Sequence, residues 1–426
     1  MGESGYTRIA RVKYRPFTWT RAATLLAMVG CDPERIPARR RYVPAPDVIT
    51  DDASSPVGGL CTRRGAASVE IAPGTGRTRA SIAWSGLHYG VAWQEATAEG
   101  TSAWFARVHG VEGPQGLVTR ITHPGLHVGY PTVLWNGANW SVIYDAAWGE
   151  ADGDVYQARI DARGAMVSDP FRMTRGARDD INASMAPGEQ GFGMAWIARE
   201  EGGRRHVLYG MSLNRWDAPR GLAVRMLDTQ LTLGAPTVTW TGAEWALTCV
   251  SARGEVKAVD FLRLSPEGLP RGVLKHISPE RIGGVELENR HAVAWDGHAL
   301  GVVWSELREG ATQVFFRAVS ARGNPLTADV RVSEGAMAAS EPALVAISEG
   351  LFALAMRVER EGMSRVWVRT VRVDGSFQPT QVELQGADGR AGAPSLVYDG
   401  TGLGVVTVSP RALSFHRVAL APCVAP

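Results

Sequence analysis

Apolar residues along this chain come in short runs, each closed by a polar turn with glycine, and the runs recur. Ser81-Ile82-Ala83-Trp84-Ser85-Gly86 is followed by Gly90-Val91-Ala92-Trp93. Thr132-Val133-Leu134-Trp135-Asn136-Gly137 is followed by Trp140-Ser141-Val142-Ile143-Tyr144. The same pair of runs returns at Thr237–Cys249, Ala292–Trp304 and Ser395–Thr407, and weaker copies end at Trp196 and Met356. The second run thus reaches an anchor at 93, 144, 196, 249, 304, 356 and 407, at intervals of 51 to 55 residues. Each pair of runs predicts a hairpin of two apolar strands. A third strand follows, such as Val314–Val319, then a turn such as Ser320-Ala321-Arg322-Gly323, then a more polar fourth strand such as Val330–Ser333.

Four short strands in each repeat of about 50 residues describe a propeller blade. The fold class expected is therefore all-β: a seven-bladed β-propeller of four-stranded antiparallel blades. Such blades bury their faces against one another, so none is stable alone. The seventh copy has a third strand near Ala412–Val418 but no fourth. One unpaired strand pattern, Ala67–Ile71, precedes the first copy. The N-terminal strand is expected to complete the last blade and so remove two open edges. That closure brings Cys61 and Cys423 toward each other, and a disulfide between them is expected. An oxidising compartment would permit it. Cys249 occupies an anchor position and reads as a buried core thiol.

Ahead of the repeats the pattern changes. Residues 1–30 carry Arg8, Arg11, Lys13, Arg15 and Arg21 against a single acid, Glu3, and then an apolar run from Ala22 to Val29. A basic region, a short apolar core and a small residue before the cut are the marks of a secretory signal peptide. The run is well short of the roughly 18–20 residues a membrane-spanning helix needs. Met28-Val29-Gly30-Cys31 resembles the lipobox of bacterial lipoproteins, with Met28 where leucine is usual. That resemblance implies cleavage before Cys31, lipid attachment to it and anchoring in the bacterial envelope. Residues 31–56, with five prolines and Arg39-Arg40-Arg41, read as a tether in extended conformation. The arginines are either a solvated run or a contact with anionic headgroups. The propeller would then span 57–426.

The Trp-x-Gly turn followed by a second Trp or Tyr resembles the blade repeat of secreted and lipid-anchored bacterial surface propellers, over about 66–421. The resemblance implies a fold and a location rather than a chemistry. Trp295-Asp296 occurs once and on a first strand, so it is not the WD-repeat signature, and the sialidase Asp-box is absent.

Charge refines the address. The whole chain has 45 basic and 43 acidic residues, a net of +2. Without residues 1–30 it has 40 and 42, a net of −2. Such a balance argues against a nucleic-acid partner.

Candidate chemistry is sparse. There is no Gly-x-Ser-x-Gly elbow, P-loop, dinucleotide fingerprint or Cys/His cluster, so no cofactor and no metal are expected. Glu150, Asp152 and Asp154 alternate around Gly153, but the full calcium-loop pattern is missing and an acidic loop is the simpler reading. Trp84, Trp135, Trp240 and Trp295 hold one blade position and read as core, whereas Trp104 and Trp148 lie off the anchors and are the better candidates for exposed contact, with ordinary packing as the alternative. In a propeller the loops entering each first strand meet at one end of the central channel. Their polar residues supply the candidate ligand-binding set: His127, Tyr130, Asp180, Asn182, Glu288, Arg290, His291 and Glu341. The alternative for each is ordinary loop polarity. No catalytic residue is assigned. The function expected is a monomeric, lipid-anchored envelope module that binds or assembles a protein or glycan. The alternative is a propeller enzyme, a glycoside hydrolase or lyase acting on polysaccharide.

Overall fold

Seven antiparallel sheets follow one another along the chain in a computed structural model of the protein. It describes residues 60–422 apart from 63–66, 74–75, 99, 149–152, 176–177, 201–204, 216, 230, 283–290, 336 and 387–388. The expected signal peptide, Cys31 and the whole tether lie outside the described residues. All described residues belong to one unit, 46–426, and none is helical.

Blade one runs in order through strands Arg77–Trp84, Tyr89–Thr97, Gly100–His109 and Gly113–Arg120. Blades two to six repeat that order over 126–172, 179–229, 232–282, 292–331 and 338–384. Blade seven has three strands of its own, Gly392–Tyr398, Gly402–Val408 and Ala412–Pro422. Its outer edge comes from the other end of the chain. Ala67–Pro73 pairs with Ala412–Pro422, Val69 opposite Phe415, and Leu60–Thr62 continues along the same strand. The seven four-stranded blades form a closed propeller ring. No disulfide occurs among the described residues: Cys61 stands opposite Ala421, and Cys423 lies outside them.

The ring holds together through seven apolar cores, each shared by neighbouring blades. Ala92 and Phe105 of blade one pack with Trp140, Val142 and Tyr144 of blade two. The seam between blades seven and one is built in the same way from Val406 and Phe415 with Tyr89, Val91 and Trp93. This is why the anchors recur. Trp93, Tyr144, Trp196, Cys249, Trp304, Met356 and Thr407 are all at most 2% exposed. At Cys249, burial pushes the thiol well above its ordinary range, so a reactive thiolate is disfavoured. The first-run tryptophans are half-buried, and three rest on the aromatic that opens the next strand: Trp84 on Tyr89, Trp135 on Trp140 and Trp240 on Trp245, with ring centres 4.5 to 4.9 Å apart.

Glycine near the start of the second strand, where it occurs, has a steric cause. A Cβ on Gly90 would stand 2.5 Å from the Trp140 ring of blade two, and one on Gly404 would stand 2.5 Å from Tyr89 of blade one. A large ring in one blade thus requires a bare backbone in the blade before it. Trp104 departs from the sequence expectation. It lies in a third strand, half-buried beside the seam core, with Arg120 5.8 Å over its ring, because the strand runs longer than the apolar run suggests. Trp148, at the end of its strand, is 56% exposed.

Candidate functional site

The innermost strands of all seven blades converge on a central cavity of about 260 Å³. Aligning the blades on their first anchor puts one described residue of six of them at the same level of the channel: Arg79, Tyr130, Asn182, Ala235, Glu341 and Ala393. The next residue is proline in four blades: Pro131, Pro236, Pro342 and Pro394. An innermost strand is an edge strand, so its outward N–H has no ladder partner and proline is tolerated there. The prolines still interrupt the strands. In blades two and four the inner strand splits into 126–128 with 132–135 and 232–233 with 237–240. In blades six and seven the ladder shifts register between Ser340 and Ala343 and between Gly392 and Ser395.

Those shifts carry strain. Asn182, Glu341 and Ala393 adopt φ of 55°, 53° and 40°. A left-handed conformation costs a non-glycine residue about 1–2 kcal/mol. Two of the three are braced by a carboxylate from the preceding blade. Asp145 Oδ1 accepts the Asn182 N–H at 3.0 Å, and Glu341 Oε2 accepts the Ala393 N–H at 2.7 Å. Strain of this kind clusters at functional sites.

Of the sequence candidates, Tyr130, His291 and Glu341 line the cavity. Asn182 sits in the bulge two residues before Ser184, which lines it. His291 is 3% exposed, with Nε2 2.7 Å from Thr248 Oγ1 of blade four. Glu288 and Arg290 lie outside the described residues. Two candidates are placed elsewhere. Asp180 is wholly buried, its Oδ1 accepting from Arg178 Nε at 2.9 Å, and burial pushes its carboxyl above the usual carboxylate range. His127 stands exposed on a short strand opposite Ala147, outside the cavity lining. Arg79 was not among the candidates, yet it lines the cavity with its guanidinium 4.5 Å over the Tyr130 ring. Its position five residues before Trp84, matching Tyr130 before Trp135, is the signal that could have found it.

The rest of the lining mixes hydroxyls with apolar side chains, Val293, Leu344 and Leu396 beside the four prolines. Ser81, Thr132, Ser184, Thr237 and Ser395 mark one level of five blades. Glu341 is the single carboxylate among the described lining residues. Hydrolysis by the usual glycosidase route needs two carboxyl groups. In the second blade, Asp154 is buried and engaged by Arg172 and Thr174, while Glu150 and Asp152 lie outside the described residues. No group of three His, Cys, Asp or Glu placed to hold a metal occurs among the described residues.

No family model matches the chain, and no curated protein sequence does. Solved structures do resemble it. An ulvan lyase from a new family of polysaccharide lyase superposes with a TM-score of 0.57 at 12% identity, over 83% of this chain and 96% of the lyase. The lyase bound to a -[GlcA(1-4)Rha3S]- saccharide superposes with a TM-score of 0.55 at 11% identity, over the same shares. At such identity the likeness is one of fold.

Proposed function

We propose that this protein is an envelope binding module that uses the mouth of its central channel to hold a glycan. The observation that carries the reading is the lining that the described residues form: Arg79 stacked on Tyr130, a level of hydroxyls, and Glu341 on an inner strand. Hydroxyls and an aromatic ring suit a saccharide. The saccharide held by a protein of the same fold makes glycans the first ligand class to test. Export and lipid attachment at Cys31 belong to the same reading and rest on the leader pattern. So does a Cys61–Cys423 bond. The intact mass of protein taken from membranes, before and after reduction, checks both modifications.

The experiment is to titrate the protein with a panel of purified envelope and extracellular polysaccharides while assaying for products. Saturable binding without turnover, weakened at least tenfold by Tyr130→Ala, is expected. A second reading, a polysaccharide-cleaving propeller, draws on the strained backbone at the channel mouth. Turnover of any glycan in the panel, abolished by Glu341→Gln, would replace the first reading with the second.

A further inference from the structure

We propose that the ring turns one end toward a lipid bilayer, setting an apolar residue from each of six blades into the lipid surface, with the channel mouth facing away. The inference rests on the lipid-anchor reading of Cys31 and is independent of which ligand the channel holds.

Strand order defines two ends. In blades one to six, the loop entering the first strand and the turn between second and third strands lie at the mouth end. The turn between first and second strands and the turn between third and fourth lie at the far end. At the far end exposed apolar side chains recur. Val111, Val167, Leu222, Leu269, Leu326 and Phe377, one from each of these blades, stand in the turn between third and fourth strands or shortly after it, and are 40% to 90% exposed. Leu87, in the first turn of blade one, adds to the same end. Apolar residues scattered singly over a surface carry no meaning, but one repeated at the same level of six blades makes a patterned face. The mouth end differs. Among the described residues its exposed large apolar side chains are Trp148 and Leu307, at the ends of their second strands.

Blade seven supplies the occupant. Its third strand ends at Pro422, at the far end, and Leu60 pairs with Pro422 there. Where six blades present an apolar side chain, the seventh receives the chain that leads back to Cys31. Residues 31–59 are long enough to hold the ring near a bilayer without choosing which end turns to it. A tether makes the second contact intramolecular, so shallow insertion of a few side chains is enough to choose. The charges beside those side chains are of both signs, Arg163, Arg220 and Arg322 with Glu112 and Glu267. The contact therefore depends on apolar burial rather than on anionic headgroups, and added salt should not release it.

The test places a photo-crosslinking residue at Leu222 or at Leu307 in the full lipid-anchored protein, held in vesicles of phosphatidylethanolamine and phosphatidylglycerol. Irradiation should give at least fivefold more lipid adduct from position 222 than from position 307, in low and high salt alike. Leu222→Asp with Leu269→Asp should lower the lipid adduct from a probe at Leu326 while the protein stays anchored. Trypsin gives a readout on the unaltered protein. Cleavage after Arg163, Arg220 and Arg322, exposed at the far end, should be at least fivefold slower in vesicles than in detergent. Cleavage after Arg253, exposed in a mouth-end turn, should be equally fast in both. Equal lipid adducts from the two positions, or equal protection of the two ends, would overturn the proposal. So would a cross-link from position 222 to a second copy or to another protein in place of lipid. If the intact mass shows lipid on Cys31 and the adducts are equal, the anchor stands and this inference falls. If Cys31 carries no lipid, both fall.

Discussion

His416 shows how single residues in this ring respond to being closed off from water. Its Nε2 lies 2.9 Å from Thr407 Oγ1, and its side chain is almost entirely buried. Burial penalises the charged imidazolium and lowers the pKa from 6.5 to about 4. The unfolded chain therefore takes up a proton between those values that the folded ring refuses. Stability falls as pH drops from about 6.5 toward 4, by about 3 kcal/mol in full. Between pH 7 and pH 5 the loss from this one group is about 2 kcal/mol. Urea unfolding at several pH values should show it, and His416→Gln should flatten the slope. Equal slopes for the two proteins would mean the imidazole is not held neutral.

At the scale of the element, the hairpin turn after the first anchor does two jobs. Asp296 Oδ1 accepts the N–H groups of His298 and Ala299, both at 2.7 Å, which closes its own turn. Its Oδ2 accepts the Gly350 N–H of the next blade at 2.9 Å. Asn136 repeats the arrangement, capping its turn with Oδ1 and donating to Asp217 of blade three with Nδ2 at 2.9 Å. Asp399 does so at the seam, accepting from Tyr89 of blade one and from Arg417, 2.8 Å away. The glycine that follows is required by conformation. Gly297 has φ of 106° with open space around it, so a side chain would be strained rather than crowded. Asp296→Ala removes three accepted hydrogen bonds and is expected to cost about 2 kcal/mol, against less than about 1 for Asp296→Asn. Denaturant midpoints of the two variants check the ordering. Equal midpoints would mean the turn does not tie blade five to blade six.

For the whole molecule, the closure is the point of greatest leverage. Ile71 and Ala72 of the N-terminal strand are buried in the seam core, and their strand covers the outer edge of Ala412–Pro422. Deleting residues 57–73 would uncover a strand edge and part of an apolar core at once. An uncovered edge is a template for pairing with another chain. Concentration-dependent association in size-exclusion chromatography and a lower melting temperature are expected for the deletion. An unchanged monomer with the parent's melting temperature would show that closure does not depend on this strand.

The seven blades, their strand order and the closing strand were legible in the sequence, because each rests on local apolar spacing and on anchors that must be buried. The candidate site was legible only in part. Tyr130, His291 and Glu341 line the channel, while Asp180, two residues before Asn182, is buried and paired with Arg178. Between Ile181 and Ser184 the ladder shifts register. A bulge of one residue re-aims every side chain near it, and no count of residues along the chain reveals where it falls. Arg79 was missed although it stands five residues before Trp84 as Tyr130 stands before Trp135, because its stacking on Tyr130 joins two blades and appears only in the folded ring. Hydrophobic periodicity, a property of neighbours in sequence, therefore determined the ring by itself. The pairing of Arg79 with Tyr130, the bracing of Ala393 by Glu341 and the seam at Asp399 join residues about 50 or more positions apart. Only the tertiary structure decided those, because they exist once seven strand edges have converged on one axis.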